Sequence, residues 1–227
     1  ADQTGYKRVG HLEPQPMIGG DLATKYPLRM VAGILRDNAE ITNWLLERHG
    51  YFPHGREEVN MILRQPSAGK VPLTTSCGRV LDAVSAILGL CYERTYEGEP
   101  AMKLESAALG GKDSLNLKPV ARDGVIRTTN MVHEIFSNLW RVTLRDLAYS
   151  AQSYMARSLS ETAIATATEL GVKSIGFTGG VAYNEQITRT LKTAVEEEGL
   201  RFLVHVSVPP GDGGISFGQA VVAAQHS

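Results

Sequence analysis

The sequence predicts an α/β protein with a substantial helical portion, and three observations carry that prediction. Near the carboxyl end, Ser174-Ile175-Gly176-Phe177-Thr178 is a largely apolar run that ends on Gly179-Gly180, and Val181-Ala182-Tyr183-Asn184 then leads into helical spacing. This is the pattern of a strand closing in a tight turn that opens a helix, and in parallel α/β sheets ligands collect beyond such corners. A second unit of the same kind follows, with residues 202–208 as the strand, Pro209-Pro210-Gly211-Asp212-Gly213-Gly214 as the corner, and a helix containing Gly218 and Ala220. The first two-thirds of the chain instead repeats apolar residues every three or four positions, the helical period. No internal repeat or low-complexity linker divides the chain, so it reads as one α/β unit with a helical insertion or edge.

Taken in order, residues 1–12 fit a strand, with Tyr6, Val9 and Leu12 spaced among polar neighbours. With no methionine at position 1, an excised fragment is expected. Pro14, Pro16 and Gly19-Gly20-Asp21 form a loop. A helix is expected after Pro27, with Met30, Val31, Ile34 and Leu35 on one face, then a shorter one over 41–48 carrying Trp44, Leu45 and Leu46. Tyr51-Phe52-Pro53-His54-Gly55 breaks it, and a helix over 57–65 precedes a Pro66-Ser67-Ala68-Gly69 turn. Residues 79–90 are helical, with Val80, Leu81, Val84, Ile87 and Leu88 in phase and Gly89 placed as a terminator.

Residues 92–98 read as a loop, and Pro100 sits in the first turn of a helix over about 100–110, where proline is tolerated. Gly110-Gly111 and Asp123-Gly124 punctuate a two-stranded excursion over 115–121 and 125–129. The longest element covers roughly 138–170, where Leu144, Leu147, Ala151, Met155, Leu159 and Ala163 keep one stripe. It is either a single helix or two joined near 158–161, and the stripe is read as core, not as a cofactor-binding face. Gly171 ends it. Residues 184–199 form the helix between the two terminal strands, with Ile187, Leu191 and Val195 inward and Gly199 at its close.

Of the 227 residues 43% are hydrophobic, and the net charge is -1 with both signs spread along the chain. That balance lacks the basic footprint of a nucleic-acid binder. No apolar run approaches the roughly 20 residues that span a bilayer, and Ala1-Asp2-Gln3-Thr4-Gly5 has no signal-peptide pattern, so a cytoplasmic protein is expected. Cys77 and Cys91 make neither a disulfide framework nor a four-ligand zinc site, and read as reduced, partly buried thiols. Cys77, in Thr75-Ser76-Cys77-Gly78, has no adjacent histidine to activate it. His133-Glu134 begins like a helical zinc motif, but the partner position holds Ser137. His49 and His54 are five apart, the wrong spacing for one helical face, and His11, His205 and His226 are isolated.

Three places can carry chemistry. Paired glycines at 179 and 180 let a backbone approach a ligand closely. Asp82, one turn into the helix after Ser76 and Gly78, fits two readings: an acceptor for a sugar diol, or a solvated carboxylate near a positively polarised helix end. Tyr96-Glu97-Gly98-Glu99-Pro100 and Glu105 add acids and a glycine that are ordinary surface charges on their own. Asp212, between glycines at a corner, either reaches a metal or metal-bound phosphate or caps its own helix.

Four motifs occur in order: Ser76-Cys77-Gly78-Arg79-Val80-Leu81-Asp82-Ala83-Val84, Tyr96-Glu97-Gly98, Gly179-Gly180-Val181-Ala182-Tyr183-Asn184, and the Pro-Pro-Gly-Asp-Gly-Gly-Ile-Ser-Phe-Gly-Gln run over 209–219. With the opening Gly5-Tyr6-Lys7-Arg8-Val9-Gly10-His11-Leu12, Gly19-Gly20-Asp21 and Pro27-Leu28-Arg29-Met30, essentially the whole chain resembles the carboxyl-terminal part of the HypF family of hydrogenase-maturation carbamoyltransferases. The resemblance implies a ribonuclease-H-like, actin/hexokinase-type lobe spanning residues 1–227, shared with tRNA threonylcarbamoyltransferases and antibiotic O-carbamoyltransferases. It also implies a carbamoyl adenylate, made from carbamoyl phosphate and ATP, held between two lobes. The acceptor it implies is the carboxyl-terminal cysteine of a HypE-type partner, on which the carbamoyl group becomes the cyanide ligand of [NiFe]-hydrogenase iron.

By the same resemblance Gly179, Gly180 and Asn184 contact the adenosine end, Asp82 binds the ribose with Gly98 and Glu105, and Asp212 ligates a divalent metal (iron, zinc or magnesium). The resemblance assigns no residue here as the catalytic acid or base. The family's paired metal histidines, the phosphate loop of its first lobe and its upstream modules have no counterpart in these residues, and Glu99 stands where the tRNA enzymes have a second glycine. An isolated piece is therefore expected to be inactive, with apolar surface that favours a homodimer in place of the missing amino-terminal lobe. Rival readings are a small-molecule O-carbamoyltransferase and a non-catalytic lobe that docks a partner.

Overall fold

The computed structural model describes residues 5–65 and 71–225. The elements begin with β1 (His11–Leu12), β2 (Gln15–Pro16), α1 (Leu22–Lys25), α2 (Leu28–Ile34), α3 (Ile41–Glu47), α4 (Gly55–Arg64) and β3 (Leu73–Thr74). Next come α5 (Cys77–Ile87), α6 (Glu99–Ala107), β4 (Ala121–Arg122), β5 (Val125–Ile126), α7 (Thr129–Ser137) and α8 (Leu144–Glu169). The chain ends with β6 (Ser174–Gly176), α9 (Glu185–Glu197), β7 (Arg201–Leu203) and α10 (Ile215–Gln225). They fall into two compact units: a helical unit of residues 12–118 and 127–154, and a mixed unit of 1–11, 119–126 and 155–227. Among the described residues no helix is long and apolar enough to cross a membrane.

The helical unit is built around α2 and α5, which pack on each other. All seven residues of α2 are buried, not one face of it, and α5 buries everything from Val80 to Ile87. A helix that is apolar nearly all round belongs inside a protein, and α6 and α7 complete the surroundings of α5. Ser76 caps α5 by accepting from the Arg79 amide, so the helix starts two residues before the predicted 79. Buried Arg29 on α2 pairs with buried Glu58 on α4, whose second oxygen accepts from the His54 amide at 2.9 Å. β2 and β3 pair antiparallel, Gln15 opposite Thr74.

Helix α7 starts at Thr129, where the predicted second strand ends, and covers residues 130–137, to which the sequence pattern assigns no element. Its amino end has no side-chain cap from Thr128. Instead Glu13 accepts from the Thr128 and Thr129 amides at 3.1 and 3.0 Å, and Gln15 donates to both threonine hydroxyls. The expected strand over 115–121 is also absent before Ala121. Pro119 has no N–H, and the amides of Lys112 and Leu115 go to Asp146 and to the Ser150 hydroxyl of α8.

In the mixed unit β4 and β5 form a hairpin through Asp123-Gly124, with Ala121 opposite Ile126, and a three-stranded order β1-β5-β4. Of the strand expected over 1–12, the described part is β1 and a bridge at Gly5, with Tyr6 and Val9 exposed. Helix α8 is unbroken, with no joint near 158–161. Its hydroxyls turn back into the helix, Ser160 donating to Arg157 O, Thr162 to Ser158 O and Thr166 to Thr162 O. β6 and β7 are parallel and α9 crosses between them, with Ile187, Leu191 and Val195 all buried. β7 stops at Leu203, so residues 204–208 are not the predicted strand continuation. The turn expected over 66–69 and His226 lie outside the described residues.

Candidate functional site

The two glycine-rich corners meet in the mixed unit. After the β6–β7 ladder, Phe177 N–H donates to Leu203 O at 2.9 Å, and Gly179 N–H donates to Pro210 O at 2.8 Å. Gly211 abuts the first corner, since a Cβ there would stand 2.8 Å from the Tyr183 ring. Gly179 has φ +95°, a conformation that favours glycine. Gly180 has no positive φ, and a Cβ at that position would have no atom within 4 Å. Packing does not account for Gly180.

Asn184 is 7% exposed and caps α9, its Oδ1 accepting from the Ile187 amide at 2.8 Å. The acceptor expected to face adenosine is therefore engaged in holding the helix start. Asp212 is exposed and opens a short 3-10 turn over 212–214 whose cap residue is Gly211. His205, isolated by sequence spacing, stands in this corner: its Nε2 is 2.9 Å from Thr178 Oγ1, and Thr178 Oγ1 donates to Pro210 O at 3.1 Å. The signal that identifies it is the strand register, which sets residue 205 opposite 178.

The other predicted residues lie in the helical unit, on α5 and the helix α6 that packs against it. Asp82 is fully buried, not solvated. Arg79 Nη2 is 2.8 Å from its Oδ2 but off hydrogen-bond geometry, so neither carboxylate oxygen receives a hydrogen bond. Burial pushes the Asp82 carboxyl up to about 6, against the downward pull of Arg79 and Arg94. A buried acid short of donors and raised toward neutrality is a costly arrangement. Burial, with Asp82 adding, pushes the neighbouring Cys77 thiol up to about 12, so it is a protonated thiol and a poor nucleophile. Cys91 is buried and its thiol is raised as well, first by burial and then by Glu99.

Gly98 caps α6 with φ +77°, and Glu105 lies half-buried two turns on. Glu99 does not project as a surface charge. Lys103, with the Thr95 amide and hydroxyl, holds its carboxyl down at about 2 and closes the 95–99 turn. The structure thus brings Gly179, Gly180, Asn184 and Asp212 together in one unit, and Asp82 with the α6 residues in the other. Among the described residues no group of three or more His, Cys, Asp and Glu side chains is placed to hold a metal ion. Asp212 offers one carboxylate, which does not by itself fit a resident metal.

Residues 1–219 match the family model described as "Carbamoyltransferase, Kae1-like Domain, second subdomain". The chain belongs to that family of carbamoyltransferase domains. More narrowly, it is similar to HypF proteins: it is 42% identical to the "Probable carbamoyltransferase HypF" of Methanocaldococcus jannaschii over 95% of this chain and 28% of that protein. The crystal structure of T. kodakarensis HypF aligns with a TM-score of 0.88 at 38% identity, over 97% of this chain and 30% of that one. A full-length HypF solved in a phosphate- and nucleotide-bound form aligns with a TM-score of 0.85 at 26% identity, over 98% and 29%. The fold is the one the four motifs imply, and the chain spans under a third of the length of these relatives.

Proposed function

We propose that residues 1–227 are the carboxyl-terminal lobe of a HypF-type carbamoyltransferase. In the whole protein, carbamoyl phosphate, water and ATP form a carbamoyl adenylate, with phosphate released from the carbamoyl group and pyrophosphate from ATP. Its carbamoyl group then passes to a cysteine thiolate of a HypE-type partner. In that step the C–O bond to the adenylate phosphate breaks, a C–S bond forms, and AMP leaves. The observation that carries the reading is the bare Gly179-Gly180 backbone fastened to the corner that presents Asp212. The buried, donor-poor carboxylate of Asp82 supports a ribose contact, with Gly98 and Glu105 on the adjoining helix. Asn184 serves the nucleotide end by fixing the start of α9. Asp212 supplies one ligand to a divalent metal whose other ligands lie outside these residues. An amino-terminal lobe is needed to close the cleft, so the 227 residues alone are inactive.

Calorimetric titration of the full encoded protein with ATP and with AMP tests this. Asp82→Asn is expected to weaken nucleotide binding by about tenfold or more, the worth of a charge-assisted hydrogen bond. Unchanged affinity overturns the ribose role, and no binding by the unaltered protein overturns the nucleotide reading.

A further inference from the structure

The geometry points to His205 and Thr178 as positioning residues that clasp the two corners of the site, an inference that rests on reading those corners as nucleotide-binding. The β6–β7 register pairs 174 with 201, 175 with 202 and 176 with 203, and the same offset sets 178 opposite 205. Ladder hydrogen bonding extends one step past the strands, to Phe177 N–H on Leu203 O. There the side chains take over, with Thr178 Oγ1 2.9 Å from His205 Nε2. The chain then turns through Pro209-Pro210, two residues with no N–H to donate, and contributes the Pro210 carbonyl. That carbonyl accepts from both Gly179 N–H and Thr178 Oγ1–H.

The direction of each bond is forced. A carbonyl only accepts, so the one proton of the Thr178 hydroxyl points to Pro210 O. Thr178 can then only accept from His205, and Nε2 must carry a hydrogen. In the neutral ring Nδ1 is accordingly the bare nitrogen. Asp212 stands two residues beyond Pro210 and Gly179 one residue beyond Thr178. The spacing between the bare glycine backbone and the Asp212 carboxylate is therefore set through this chain of three groups. Neither side chain need touch the nucleotide for its loss to be felt there.

Imidazole 15N NMR of the full encoded protein at pH 8 is expected to show His205 as the Nε2–H tautomer. The Nδ1–H tautomer overturns the clasp, whether or not nucleotide binds. In ATP titrations, Thr178→Val keeps the side-chain shape and removes both bonds, so the Kd should rise on the order of tenfold, with His205→Leu less affected at about fivefold. Thr178→Ser keeps the hydroxyl and His205→Gln keeps an N–H near Nε2, and both should stay within about twofold of the unaltered protein. Rescue by these two separates positioning from general loss of packing. Unaltered affinity in Thr178→Val, or in His205→Leu where the valine variant does not fold, overturns the inference and leaves the proposed function standing. An unaltered protein that binds no ATP removes the proposed function instead, and the tautomer measurement then decides the clasp.

Discussion

The helical unit encloses several charged side chains: Arg29, Glu58, Asp82 and Glu99 are all buried, and all four are in ion pairs, Arg29 with Glu58, Asp82 with Arg79 and Glu99 with Lys103. The mixed unit does the reverse at its carboxyl end. Asp212 is exposed, the Gly180 backbone faces open space, and every described side chain of α10 is exposed, Ile215 and Phe217 included. Interior charge makes a unit sensitive to substitution, because each ion depends on its partner for solvation. Uncovered backbone makes a corner tolerant of substitution by any measure except ligand binding. The contrast separates residues that hold the shape from residues that the packing leaves uncovered.

The largest expected effect lies on the interior side. Glu58→Ala leaves the Arg29 guanidinium buried with Ile18 O as its remaining partner at 3.3 Å, and releases the His54 amide. Breaking such a pair destabilises by roughly 3–5 kcal/mol. Asp212→Asn, at an exposed position, should stay within about 0.5 kcal/mol. Denaturant unfolding of both variants measures the contrast, and equal losses would break it.

Asp82 gives a pH test of the same interior. Its folded-state value of about 6 is raised above the ordinary carboxylate value of 3.8. The folded protein therefore binds more protons than the unfolded chain between those two values. The resulting contribution is fully present below pH 4 and is lost as pH rises through 6. Stability relative to Asp82→Asn, which lacks the titration, should fall on the order of 3 kcal/mol between pH 4 and 7. Taking the change across pH cancels the fixed cost of leaving Arg79 without its partner. A flat difference would mean that the carboxylate is solvated or fully ion-paired.

What can be read from the sequence follows the distance to each residue's partner. Local period alone places Ile187, Leu191 and Val195 inward, and all three are buried. Gly89, Gly171 and Gly199, expected to end helices, each carry positive φ, a conformation set within one turn. The failures depend on remote partners. Helix α7 is capped by Glu13, more than a hundred residues earlier, so no cap signal stands beside it. Residues 204–208 have strand-like composition but no backbone partner beyond Leu203. A solvated Asp82 is compatible with the sequence because helical spacing says nothing of the α6 helix that covers α5. His205 reads as isolated because Thr178 is 27 residues away along the chain and one register step away across it.

The smallest expected effect on stability is also the sharpest test of the exposed side. At Gly180 an added methyl would meet no atom within 4 Å, and the backbone there does not need positive φ. Gly180→Ala should therefore be neutral, or stabilising by a few tenths of a kcal/mol, because alanine lowers the entropy of the unfolded chain. If the bare backbone serves only the fold, ATP binding should be equally unaffected. If it is kept bare for a nucleotide, the methyl occupies the space the ligand needs, and affinity should fall by about tenfold or more while the unfolding midpoint holds. Gly214→Ala is the matched control. Its Cβ would stand 2.3 Å from Pro209 O, so it should lose stability by roughly 1–3 kcal/mol through overpacking. A Gly180→Ala protein that binds ATP like the unaltered one would place the glycine pair with the turn and not with the site.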